Sequence, residues 1–195
     1  MKWRDHSNLE GLHAPFSASG HSWLNYDDEK FRTVYKNMLA KQKGTEDHEF
    51  AATCIKRKQK LPGSKINLNR YVNDAIGFKM SPEVILYYSE NFFGTADAIS
   101  FRKNPNPDSG YKYFLRIHDL KTGTSVAIKK LYQLQVYAAL FFLEYQIDPL
   151  ETEMELRVYQ YGETVIEKPT AKEIKPIMDK IIRADKIVEE LKSED

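Results

Sequence analysis

The chain has 195 residues, 42% hydrophobic, 12% aromatic and 29% charged, with a formal net charge of +1. That profile suits one folded domain with a sizeable core and excludes a disordered chain. It also excludes an overall basic field, so nucleic acid would have to be met by local clusters such as Lys56-Arg57-Lys58-Gln59-Lys60 and Lys129-Lys130.

Residues 1–26 read as irregular, with Gly11, Pro15 and Gly20 as breakers and Ser17-Ala18-Ser19-Gly20 as a turn-like string. The opening Met1-Lys2-Trp3-Arg4-Asp5-His6 lacks the apolar run of a signal peptide. No stretch of the sequence approaches the ~20 apolar residues of a membrane span. The expectation is a cytoplasmic protein with no membrane contact. Phe31, Val34, Tyr35, Met38 and Leu39 predict a helix from Asp27 or Asp28 that stops at Gly44. Thr45 is placed to cap a second helix through His48 to about Lys60, which Pro62-Gly63 ends. Asn69 to Lys79 reads as a further helix with Tyr71, Val72, Ala75, Ile76 and Phe78 on its buried face.

The period then changes. Glu83 to Tyr88, Phe92 to Phe101 and Tyr113 to Leu120 read as strands, the last two joined by the turn-rich run Asn104 to Gly110. The segment from Ala127 to Tyr145 is apolar almost all round and predicts a helix buried against a sheet. Met154 to Tyr159 alternates as a strand, Gly162-Glu163 turns it, and Val165-Ile166 form its partner. Thr170-Ala171-Lys172-Glu173 has the spacing of a capping box and opens an amphipathic helix over 170–192, with an early bend expected at Pro176. That last helix would either close the core or form an intermolecular contact. The order of elements predicts a single α/β domain over residues 1–195, with a central sheet flanked by helices.

Three strings carry the chemistry. Gly94-Thr95-Ala96-Asp97 and Asp119-Leu120-Lys121-Thr122-Gly123 put two carboxylates and a lysine on neighbouring predicted strands. Asp119 and Lys121 share a strand face with Leu115 and Ile117, as Asp97 does with Ile99 and Phe101, so the two aspartates are expected to converge on one cation. Gly94 is expected to leave room there for a ligand. Oxygen donors of this kind, with the Leu120 carbonyl as a further candidate, suit Mg²⁺ or Mn²⁺. Such an ion would polarise a phosphate, while Lys121 would orient a water or neutralise charge on phosphoryl oxygens. The third string, Gln133-Leu134-Gln135-Val136-Tyr137, stacks an amide and a phenol on one helix face, to contact a nucleic-acid backbone or steady the lysine. His48 is a candidate further ligand, with Glu46 and Glu49 as weaker candidates for the same role. Lys129 and Lys130, about one turn before Gln133, are candidate strand contacts. Tyr87, Tyr88, Phe92 and Phe93 are either base-stacking residues or core.

By these strings the chain resembles the RecB-type exonuclease branch of the PD-(D/E)XK nuclease superfamily, over about residues 15 to 145. Gly44 to His48 is similar to that branch's first motif and Gly94 to Asp97 to its second. Asp119-Leu120-Lys121 is similar to its third, and Gln133 to Tyr137 to its Gln-x-x-x-Tyr motif. Ser17-Ala18-Ser19 with Trp23-Leu24 resembles the serine-rich opening of these proteins. The resemblance implies a restriction-endonuclease-like core. It assigns His48, Asp97 and Asp119 to the metal, Lys121 to catalysis, and Gln133 and Tyr137 to substrate contact. It also implies Mg²⁺- or Mn²⁺-dependent hydrolysis of DNA phosphodiesters, in recombination, repair or phage DNA processing. Many relatives hold an iron–sulfur cluster on four cysteines; with Cys54 alone, no such cluster is expected here. No Gly-x-x-x-x-Gly-Lys loop is present, so any translocation would need a helicase or recombination partner. An exonuclease on single-stranded or linear ends is the leading expectation. An endonuclease of a defence system and a non-catalytic DNA-binding subunit are its rivals, and a homo-oligomer is left open.

Overall fold

The structure, a computed structural model, describes residues 21–122 and 128–194, with the backbone alone described at 21 and 128–130. The strings at Gly11, Pro15, Ser17 to Gly20 and Gly123 therefore lie outside the described residues. The chain divides into two compact units, Met1–Thr45 and Glu46–Asp195.

In the described part of the first unit, a 3₁₀ turn spans His21–Asn25 and helix α1 begins at Asp28. Asp27 caps α1, its carboxylate accepting from the Lys30 N–H at 2.7 Å. Phe31 packs its ring 5.6 Å from that of Tyr26 and 6.3 Å from that of Trp23. The predicted break at Gly44 is absent, because α1 runs without interruption from Asp28 to Lys56. Thr45 caps nothing: its hydroxyl donates back to the Lys41 carbonyl at 3.2 Å, inside the helix. A glycine costs a helix interior only about 1 kcal/mol, and the burial of Ala51, Ala52, Cys54 and Ile55 further along outweighs that.

The second unit contains an α/β arrangement around a five-stranded mixed open sheet, in the order β1 (Ser81–Ser89), β2 (Phe92–Lys103), β3 (Tyr113–Leu120), β4 (Thr152–Gln160), β5 (Glu163–Glu167). Only the β3–β4 pair is parallel, and helix α3 (Ile128–Tyr145) makes its crossover. Alternation along β3 sends Leu115 and Ile117 into a core with Leu134, Ala138 and Phe142 of α3 and Ile174 of α4 (Ala171–Lys192). Leu120 enters a second core with Cys54 and Ile55 of α1 and Tyr71, Val72 and Ala75 of α2 (Asn67–Gly77). Helices thus cover both faces of the sheet, as the element order predicts. At the start of α4 the Glu173 carboxylate accepts from the Thr170 N–H at 2.7 Å, and the helix passes Pro176 unbroken. Among the described residues no helix is long and apolar enough to cross a membrane.

The face of β3 and β4 toward α2 carries an ionic layer. The Glu155 carboxylate accepts from Arg116 Nε at 2.8 Å and from Arg157 Nε at 2.9 Å, and both guanidiniums lie over the Phe78 ring, at 4.0 and 4.8 Å. Beside it His118 is fully buried, held well below the ordinary imidazole pKa by burial and by Arg157 and Arg116.

Candidate active site

The sheet forks at the predicted carboxylates. β2 pairs with β3 only as far as Ala98 opposite His118, whereas its pairing with β1 continues from Ile99 back to Phe92. Past Ala98 the first two strands leave the rest of the sheet as a hairpin arm. Asp97 is the first residue beyond the split, and its Oδ2 accepts from the Leu120 N–H at 3.0 Å, bridging the gap where the ladder ends. The turn-rich tip between β2 and β3, with its short 3₁₀ segment Pro107–Ser109, stands at the opposite end of that ladder and far from the fork.

His48 comes to the same place from α1, its Nδ1 3.4 Å from Asp97 Oδ2. A third residue completes the group, one that sequence reasoning placed in a strand and missed as a ligand. Glu83 of β1 stands across from Asp97, between the pairs Pro82–Ala98 and Val84–Ala96. One donor atom each from His48, Glu83 and Asp97 lie within 4.8 Å of one another. Glu83 also holds φ at 52°, left-handed backbone that a non-glycine residue adopts at a cost of about 1–2 kcal/mol. Strain of this kind persists where surrounding contacts impose it, and here it coincides with a cluster of ligand-type side chains. Only the antiparallel register brings Glu83 to Asp97; nothing in the local sequence marks it.

Asp119 does not join that group of three. Its carboxyl is buried on the α3 side, Oδ1 2.7 Å from Lys121 Nζ, while Oδ2 has no hydrogen-bond donor among the described residues. Lys121 in turn donates to Gln133 Oε1 at 3.1 Å, and Gln133 Nε2 donates to the Tyr137 hydroxyl at 2.9 Å. The i, i+4 pair on α3 therefore steadies the lysine. Burial pushes the Asp119 carboxyl up to about 6, the nearby Asp97 charge adds to this, and Lys121 opposes it. Asp97 is raised as well, again by burial first, with His48, the Leu120 N–H and Lys121 pulling the other way. The Asp97 charge makes Asp119 costlier to ionise, and Glu83 does the same to Asp97, a crowding of negative charge that a cation would relieve.

No family model, curated protein or solved structure matches the chain. The site has to be read from its own geometry.

The remaining site residues fall as follows. Lys129 and Lys130 lie in the first turn of α3, where their side chains are outside the described residues. The Leu120 side chain is core, and its N–H serves Asp97. Gly94 corrects an expectation, because the space it leaves is filled by Tyr137 and is not open to a ligand. A Cβ there would sit 2.9 Å from Tyr137 Cε1. The smallness of residue 94 thus lets α3 bring Tyr137, and through it Gln133, against the fork. Gly94→Ala is expected to displace the Tyr137 ring and destabilise the protein by about 1–2 kcal/mol; urea unfolding measures this, and an unchanged midpoint would mean the ring swings aside freely.

Proposed function

We propose that the chain is a divalent-metal-dependent DNA nuclease of the RecB-like branch of the PD-(D/E)XK superfamily, with a restriction-endonuclease-like core, acting as an exonuclease on single-stranded or linear DNA ends. The observation that carries this reading is the convergence, at one fork in the sheet, of the His48–Glu83–Asp97 group with the Asp119–Lys121 pair. The donor set fits the ion: three ligand-type side chains lie within reach of one another, and a buried carboxylate oxygen of Asp119 lacks a donor among the described residues. Carboxylates alone suit Mg²⁺, and the imidazole makes Mn²⁺ equally acceptable.

His48, Glu83 and Asp97 would hold the ion, with Asp119 completing its shell from the other side of the fork. When bound, a divalent ion supplies Lewis-acid polarisation of the scissile phosphate. Lys121, its ammonium aimed by Asp119 and Gln133, donates to phosphoryl oxygens as negative charge builds, or orients the attacking water. Gln133 and Tyr137 keep that ammonium from drifting into solvent, and the Leu120 N–H fixes the rotamer of Asp97.

Oligonucleotides labelled separately at each end test the reading. Linear single strands should shorten progressively with Mn²⁺ or Mg²⁺, and Lys121→Ala should lower the rate at least ~100-fold with circular dichroism unchanged. Glu83→Gln should weaken calorimetric Mn²⁺ binding by about tenfold or more. Nicking of a closed circle would make the enzyme an endonuclease. Absence of metal-dependent cleavage of any DNA or RNA would overturn the proposal.

A further inference from the structure

The hairpin arm beyond the fork has two unlike faces. Val84, Leu86, Tyr88, Phe92 and Ala96 pack toward α3 in the first core. The alternate residues point away, and Ile85, Tyr87 and Phe93 are 62%, 46% and 63% exposed. Tyr87 and Phe93 are direct cross-strand neighbours, with ring centroids 6.5 Å apart and planes within 30° of each other. Glu83, Ile85 and Thr95 are exposed beside them, and Asp97 is half-buried at the end of the row. One open face therefore runs from the proposed metal ligands, past Ile85 and Thr95, to a near-parallel pair of aromatic rings. Four residues of strand separate Glu83 from Tyr87, about 13 Å.

We infer that Tyr87 and Phe93 form a base-stacking subsite, which seats an unpaired base of the DNA strand whose phosphate would be met by a divalent ion on Glu83 and Asp97. The inference rests on the nuclease reading and adds to it a reason for preferring single strands. Ile85, Tyr87 and Phe93 make an adjoining exposed apolar patch, the kind of surface that marks an interaction site, and aromatic faces bind bases of any sequence. Charge selects the same occupant. From the α3 side, the Glu144 carboxylate accepts from the Tyr87 N–H at 2.8 Å; negative charge so close to the ring-bearing backbone disfavours a phosphate there and leaves a neutral base as the group that fits. At the other end of the face, a divalent ion on His48, Glu83 and Asp97 would supply the positive charge a phosphate needs. A duplex keeps its bases stacked and paired, so its flat faces cannot reach these rings.

The test uses the full chain and a single-stranded oligonucleotide carrying 2-aminopurine at successive positions, with metal binding and cleavage followed in parallel. Wild-type protein should quench the probe at one or two positions near the cut. Tyr87→Ala with Phe93→Ala should abolish that quenching and raise the KM for single strands about 5- to 100-fold, the loss of one stacked base. The turnover rate and Mn²⁺ affinity should hold, and Tyr87→Phe should behave as wild type. Cleavage with unchanged KM and quenching in the double variant overturns the subsite and leaves the nuclease reading intact. Quenching that is lost in the double variant, from a protein that cuts nothing, supports the subsite and sinks the nuclease reading. A wild-type dimer that the double variant dissolves, with strand binding unchanged, overturns the subsite in favour of contact between copies.

Discussion

Asp119→Asn is expected to make the metal-free protein more stable while it removes activity. Folding raises this carboxyl from its ordinary 3.8 to about 6, through burial and then through Asp97, against the pull of Lys121. A group whose pKa rises on folding favours the folded state at acid pH, and that contribution is lost as pH climbs through about 6. Above that value the buried carboxylate works against folding by on the order of 3 kcal/mol. The neutral amide has the same shape without that cost. In chelator at pH 8 the variant should therefore melt about 6–12 °C above wild type. The difference should shrink as pH falls toward 4, where both side chains are uncharged. Cleavage in Mn²⁺ should fall by about a thousandfold or more. Adding Mn²⁺ should narrow or reverse the stability difference, since ligand at a hundred times its Kd stabilises the wild type by roughly 2.7 kcal/mol. A variant no more stable than wild type in chelator would show that the Asp119 carboxylate is already compensated without an ion.

Glu155→Ala should have the largest effect on folding. Both arginines that donate to its carboxylate are themselves largely buried, at 11% and 15% side-chain exposure. Truncation strands the Arg116 guanidinium against the Phe78 ring and leaves Arg157 its 3.3 Å contact with Asp74, and stability should fall by about 3–5 kcal/mol in urea titration. Burial alone would raise the Glu155 pKa, but the Arg116 and Arg157 hydrogen bonds outweigh it and hold the group below its ordinary range. Its contribution is thus present above about pH 4.5 and lost as pH falls through the depressed value, so wild type should lose part of its margin over the variant in acid. Glu190→Ala, breaking the exposed pair with Lys186 on α4, should change stability by less than about 0.5 kcal/mol and serves as the contrast. A loss under 1 kcal/mol at Glu155 would mean that the two arginines relax into solvent.

Elements with a strong local period were legible in the sequence. Strand β3 has its predicted bounds, α3 ends where expected, and α4 opens on its capping spacing. Local codes also explain the main miss. Gly44 and Thr45 are ordinary helix punctuation, yet both sit inside α1 because the helix's buried far end and the Thr45 back-bond outweigh a weak breaker. The aromatic run shows the same limit. Tyr87 and Tyr88, like Phe92 and Phe93, are indistinguishable by composition. Only the position of α3 decides that Tyr88 and Phe92 pack in the core while their neighbours stay in water.

By itself the sequence determined which chemistry-bearing side chains the chain has and which of them share a strand face or a helix turn, because those relations depend on backbone periods a few residues long. It placed Asp119 with Lys121, and Gln133 with Tyr137. Only the tertiary structure decided that Glu83 meets Asp97 and His48, that Tyr137 fills the space above Gly94, and that the sheet opens at Asp97. Those relations come from strand register and from the seating of helices on the sheet, which are set by packing across many residues at once and leave no mark on any short stretch of the chain.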